Sequence, residues 1–262
     1  MFKVVIITGD ALRHHYFVSQ LRKTLNVAGV IWETKTDQAL KFAPVAEEFD
    51  IASRHFRLRD ESEEKWFGGK TDSDGIPSLP VKTGESNSPA CFDFVQKHQP
   101  DFILLYGSSI IKNPLLEAYD SKIINLHLGL SPYYRGSGTN FWPLVNGEPE
   151  CVGATIHLAT LKVDAGDILC QVRPDAAPGD GPHDMGNKTI IKAIEVIPGV
   201  VENYANGHIQ PQKQNLTIGK VYRKKDLTAH AIETLYENFS TGMIETYLAQ
   251  QTQRLNQYPI IS

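Results

Sequence analysis

Asn125 and His127 stand two residues apart after Lys122-Ile123-Ile124, so on an extended strand both side chains leave the same face. An amide N–H and an imidazole N–H aimed at one point can hold a carbonyl oxygen as it gains negative charge, often the largest single catalytic contribution. An imidazole in that role needs a carboxylate to set its proton and orientation. Asp164 is preferred, because it precedes an Ala165-Gly166 turn between two apolar runs, 152–159 and 168–172, and a turn there delivers it to the strand ends. Asp167 stays open as an alternative. Taken singly, a histidine is more often an ordinary core residue and an Asp beside Gly a turn cap. Taken together, the three point to acyl transfer.

Several elements must position that set. Residues 3–8 read as a buried strand, a turn at Gly9-Asp10 leads into a helix to about residue 25 with Leu12, Phe17 and Leu21 inward, and 27–33 form the next strand. Such a βαβ start places ligands beyond the carboxyl ends of the strands. No Gly-x-Gly-x-x-Gly is present, so no dinucleotide is inferred. Residues 37–67, with Phe42, Val45, Phe49 and Phe56 near helical spacing, predict one or two amphipathic helices covering the sheet. Residues 70–89, rich in Gly, Pro, Ser, Thr and Asp, predict a surface loop long enough for a lid. A helix over 90–98 and a strand over 101–106 follow, the strand running into Gly107-Ser108-Ser109-Ile110-Ile111. Then come the strand carrying Asn125 and His127, a short helix over 139–146 with Trp142, and a hairpin about Asp164. A long helix after Asp184 is expected to be interrupted at Pro198-Gly199, with His183 at its start rather than on a metal. Beyond a polar connector, 208–219, helices are expected over 226–251. The fold class is α/β, a Rossmann-like, mostly parallel sheet over 1–207 with a short helical C-terminal extension over 208–262.

Composition narrows the function classes. With 262 residues and 41% hydrophobic content the chain buries a full core. No apolar run approaches the roughly 20 residues that span a membrane, and the N-terminus runs straight into a strand, so a cytoplasmic location is expected. Three cysteines, Cys91, Cys151 and Cys170, lack zinc spacing and suit buried thiols in a reducing compartment. A net charge of -4 gives no general attraction for nucleic acid, and the basic run 220–225 sits in a tail that also holds Asp226, Glu233, Glu237 and Glu245.

Asn125-x-His127, then Pro132 and Arg135-Gly136, then Asp164-x-Gly166 agree in order and spacing with the formyltransferases that use 10-formyltetrahydrofolate, and the chain resembles that family. The family includes glycinamide ribonucleotide, methionyl-tRNA and sugar N-formyltransferases. The likeness extends over about 1–207, its sharp motifs lying within 106–171. One departure concerns the His-Pro-Ser-Leu-Leu-Pro common in the family. Here it reads His127-Leu128-Gly129-Leu130-Ser131-Pro132, which changes the stiffness of the loop beside the acceptor pocket.

The resemblance implies a formyltransferase-type fold and a catalytic set of Asn125, His127 and Asp164, selecting Asp164 over Asp167. It implies 10-formyltetrahydrofolate as formyl donor, held by Tyr106, Gly107, Ser108, Ser109, Ile110 and Ile111 together with Val163 and Asp167. Arg13 and His14, at the start of the first helix, and Arg135 are candidates for binding the acceptor. Tyr133, Tyr134, Phe141 and Trp142 are core residues by default, with stacking on a flat ring as the alternative. The acceptor expected is a small primary amine, most plausibly on a nucleotide-linked amino sugar, because the chain after Gly219 is too short for the barrel with which methionyl-tRNA formyltransferases continue. No metal and no nucleic acid or membrane partner is expected, and homo-oligomerisation is left open. The competing readings are a 10-formyltetrahydrofolate hydrolase and a silent folate- or nucleotide-binding module.

Overall fold

Apolar residues at every second position decide how the strands assemble. The computed structural model describes residues 1–34 and 46–262. Its strands are β1 (Lys3–Gly9), β2 (Asn26–Thr34), β3 (Ser78–Lys82), β4 (Phe102–Tyr106), β5 (Ile123–Leu128), β6 (Tyr134–Gly136), β7 (Ala154–Leu158), β8 (Ile168–Val172) and β9 (Lys220–Tyr222). Seven of them form one sheet in the order β3-β2-β1-β4-β5-β7-β8. The pairs from β3 to β5 are parallel, while β5–β7 and β7–β8 are antiparallel. The expected hairpin about Asp164 is therefore β7 and β8.

Side chains alternate across this sheet. Val4, Ile6, Leu104, Ile124, Leu126 and Ile156 enter one apolar layer, and Val5, Ile7, Ile31, Ile103, Leu105 and Ile123 the other. Each such side chain contributes about 1.5–3 kcal/mol on full burial. Helix α1 (Leu12–Leu21) covers the first layer with Phe17, Val18 and Leu21. It ends before residue 25, where Arg22 to Thr24 turn back onto the carbonyls of its last turn. Helix α2 (Ala46–Phe67) packs on α1, as the charge-rich stretch predicts. Phe42 and Val45 lie outside the described residues. Helix α3 (Pro89–His98) and the single turn α4 (Leu115–Ala118) cover the second layer through Cys91, Val95 and Leu115.

Three elements differ from expectation. The stretch 70–89 is not all loop, because 78–82 form the edge strand β3 on β2. Pro80 masks it in sequence, yet a proline is tolerated on a strand bonded on one side only. The short helix α5 (Trp142–Val145) is narrower than 139–146, because Thr139 and Asn140 are drawn off to the carbonyl of Leu128 and the N–H of Gly153. Helix α6 (Pro182–Ala205) runs without interruption through Pro198, since Ile190, Ile194, Ile197, Val200 and Val201 bury in the first layer across the proline. That packing outweighs the lost helical bond.

The C-terminal part is helical, with α7 (Ala229–Ser240), α8 (Met243–Ala249) and α9 (Gln251–Leu255). Helix α7 packs on α2 and α5, and β9 pairs in parallel with β6, a small second sheet the sequence did not announce.

Candidate active site

On β5 the alternation that buries Ile124 and Leu126 turns Asn125 and His127 to the opposite face, and on β7 it turns Thr155 and His157 there as well. The antiparallel register sets Asn125 opposite His157 and His127 opposite Thr155. Four polar residues thus interrupt one face at the carboxyl end of β5, where the parallel part of the sheet stops.

The turn after β7 brings the carboxylate. Asp164 adopts φ +50°, a left-handed conformation that Asp tolerates better than most residues. Gly166 passes so close to β7 that a Cβ there would sit 1.7 Å from the Leu158 carbonyl oxygen. Gln214, in the connector, donates to the carbonyls of Asp164 at 3.0 Å and Gly166 at 2.6 Å. So fastened, Asp164 Oδ1 lies 3.3 Å from His127 Nδ1 and 3.8 Å from His157 Nε2.

These contacts assign the protons. His157 Nδ1–H donates to the Leu158 carbonyl at 2.8 Å, so its Nε2 is an acceptor and takes a bond from Asn125 Nδ2 at 3.0 Å. The Asn125 amide is thereby oriented, with its second N–H unbonded among the described residues. Asp164 beside Nδ1 favours a proton there on His127, whose Nε2 lies 3.3 Å from Thr139 Oγ1. Thr139 donates its own proton to the Leu128 carbonyl. Burial drives the His127 imidazole below its usual range, the Asp164 carboxylate pulls it partly back, and His157 adds to the lowering. At Asp164 burial pushes upward, but His127 and His157 outweigh it and hold the carboxyl below its usual range. The pair is a neutral imidazole beside an ionised carboxylate.

Asn125, His127 and Asp164 line a cleft of about 1050 Å³, together with Tyr106, Gly107, Ser108, Ser109, Ile110, Ile111 and Val163. Asp167 is outside that lining, its carbonyl closing the hairpin on the N–H of Leu158 at 3.0 Å. Among the acceptor candidates, Arg13 lines the cleft with its guanidinium already paired to Glu63. His14 is buried, its Nδ1 capping the N–H of Ala11 at 3.1 Å and its ring 4.8 Å from that of Tyr106. Arg135 is not in the lining and donates instead to the carbonyls of Leu216 at 3.2 Å and Ile218 at 3.4 Å, bracing the connector that carries Gln214.

Sequence reasoning missed His157, Gln214 and Glu33. His157 left one signal, a lone polar residue in phase with Thr155 inside an apolar run. Glu33, fully buried at the end of β2, accepts from Ser109 Oγ at 2.6 Å, from the Ser109 N–H at 3.1 Å and from the Ser86 hydroxyl, tying down the loop after β4. On another wall, His55 Nδ1 and His183 Nε2 flank Tyr236 Oη at 3.1 and 3.2 Å. Burial lowers these imidazoles to about 3 and about 4, so both are uncharged. Among the described residues no group of side chains could hold a metal ion.

A mostly parallel α/β sheet with an amide, an imidazole and a carboxylate converging beyond its strand ends defines a class of group-transfer proteins. The chain belongs to the formyl transferase family, whose model matches residues 2–201. It is 29% identical over 143 residues to a methionyl-tRNA formyltransferase of Finegoldia magna, a match covering 52% of this chain and 46% of the relative, so it spans about half of that protein's length. Glycinamide ribonucleotide transformylase 1 from Symbiobacterium toebii superposes with a TM-score of 0.55 at 19% identity, over 81% of this chain and 95% of that one. A sugar N-formyltransferase from a Shewanella species gives 0.54 at 15% identity, over 86% and 78%. At those identities the structural likeness concerns the fold alone.

Proposed function

We propose that the protein transfers a formyl group from 10-formyltetrahydrofolate to a primary amine. The observation that carries this is the convergence of Asn125, His127 and Asp164 in the cleft bordered by 106–111. That cleft suits a folate: its volume is that of a ligand pocket, residues 106–111 line it, and Ile110 and Val163, 49% and 52% exposed, offer apolar surface to a flat ring. When bound, 10-formyltetrahydrofolate supplies the activated formyl group.

The remaining work falls to the chain. The free N–H of Asn125 donates to the oxygen on which charge develops. The Nε2 lone pair of His127 takes a proton from the attacking amine, and the resulting N–H can donate in turn. Asp164 holds the Nδ1 proton and stabilises the charged imidazole, while His157 keeps the Asn125 amide turned the right way. The acceptor we favour is a small nucleotide-linked amino sugar rather than a nucleic acid. Its enzyme would act in the cytoplasm, where three unpaired cysteines stay reduced.

The test is direct. Purified protein with 10-formyltetrahydrofolate and a panel of amino-sugar nucleotides should release tetrahydrofolate and yield an N-formyl product. Folate release that is the same with and without amine would indicate hydrolysis, and absence of folate-analogue binding would remove this donor.

A further inference from the structure

Tyr222, Arg223 and Lys224 line the same cleft from the C-terminal segment, and the chemistry above does not use them. Their place is built by backbone contact. The N–H of Ser137 donates to the Tyr222 carbonyl at 2.9 Å, and the N–H of Lys220 to the Tyr133 carbonyl at 2.7 Å. Two glycines allow that approach: a Cβ on Gly136 would meet Tyr222 O at 2.1 Å, and one on Gly219 would meet Pro132 O at 2.0 Å. The Tyr222 ring stacks on Trp142 at 4.1 Å and 7°, and Asn146 Nδ2 donates to the hydroxyls of both Tyr134, at 2.8 Å, and Tyr222, at 2.9 Å. The loop that follows His127 and the segment that carries Arg223 are thus bonded into one wall.

Charge on this wall is one-sided. Elsewhere in the cleft Arg13 is neutralised by Glu63, and Arg59 by Asp60 and Glu63, while the exposed Lys112 stands directly after the 106–111 segment proposed for the folate. Among the described residues the exposed side chains of Arg223 and Lys224 form no ion pair, and Asp226 spends a carboxylate oxygen on the backbone N–H of Arg223 at 2.6 Å. The imidazoles of His55 and His183, which also line the cleft, bring no charge. We propose that Arg223 and Lys224 bind the phosphate groups of the acceptor, which makes the acceptor a phosphate-bearing amine held by the C-terminal segment and not by Arg13 or Arg135. That the ligand carries the reacting amine rests on the formyl-transfer reading; the anion site itself does not.

Calorimetric titration of the full chain with inorganic pyrophosphate and with uridine diphosphate, each alone and in competition, tests the site. Both should bind, pyrophosphate should displace the nucleotide, and the Arg223→Ala/Lys224→Ala variant should bind each about tenfold more weakly or worse. The same variant should bind a folate analogue as the unaltered protein does and unfold at the same temperature, since both side chains are exposed. Failure of both probes to bind, or unchanged affinity in the variant, overturns the proposal. So does tight tRNA binding that pyrophosphate does not displace. Retained anion binding with no formylation of any amine would support the site while removing formyl transfer.

Discussion

At the residue scale the site is poised by burial. His127 is neutral before any substrate arrives, because its desolvation outweighs the pull of Asp164. Replacement His127→Ala should lower kcat by about 10²-fold or more, the usual loss for a positioned acid–base group, and leave folate-analogue affinity nearly unchanged in calorimetry. Near-normal turnover would make this histidine structural. Asp164→Asn separates charge from backbone, since Asn also accepts a left-handed φ. The carboxylate raises the His127 pKa, so its removal should move the imidazole titration, followed by NMR, to lower pH. Rate at neutral pH should fall as well, because the protonated imidazole loses its counter-charge. An upward shift would contradict the pairing.

At the element scale, what matters is how closely the turn that carries Asp164 is pressed to β7. Gly166→Ala would drive a methyl group into the Leu158 carbonyl, so the turn must move and take Asp164 with it. We expect a loss of about 1–3 kcal/mol in denaturant unfolding together with reduced kcat. Full activity would show that the turn has slack. The loop after β4 is fastened differently, by the buried Glu33 carboxylate. Glu33→Ala strands the Ser86 and Ser109 donors, at a cost of about 1–3 kcal/mol. In the proposed enzyme it should raise the KM for 10-formyltetrahydrofolate more than it lowers kcat. These contacts also explain what was hard to read: Asn125, His127 and Asp164 announce themselves by type and spacing, whereas Glu33, His157 and Gln214 act through partners up to 76 residues away.

For the whole molecule, folding buries imidazoles in neutral form. His55 and His183 are lowered from 6.5 to about 3 and about 4, and His127 is lowered too. Below pH 6.5 the unfolded chain therefore binds protons that the folded chain refuses, and stability falls progressively as the pH drops from about 6.5 toward 4. Urea midpoints should be lower at pH 5 than at pH 7, with His55→Gln flattening the difference. Equal midpoints would mean that these imidazoles are not held neutral. The C-terminal segment shares in this architecture, since α7 supplies Tyr236 to both histidines. We regard 208–262 as an extension that completes the cleft rather than a separate unit.

Sequence alone determined what short-range physics dictates. Period-two burial predicted the central strands and put Asn125 and His127 on one face, and Asp164-x-Gly166 marked the turn that meets them. Tertiary structure decided what depends on neighbours distant in the chain. Pro80 is acceptable because β3 is an edge, and Pro198 because packing keeps α6 continuous across it. Arg13 and Arg135, both free cations on paper, are committed to Glu63 and to the connector carbonyls. Arg223 and Lys224, which read as part of a solvated tail, are set against the cleft by the β6–β9 pairing. A cation's role depends on which acid or carbonyl the fold brings within reach, and no local pattern encodes that partner.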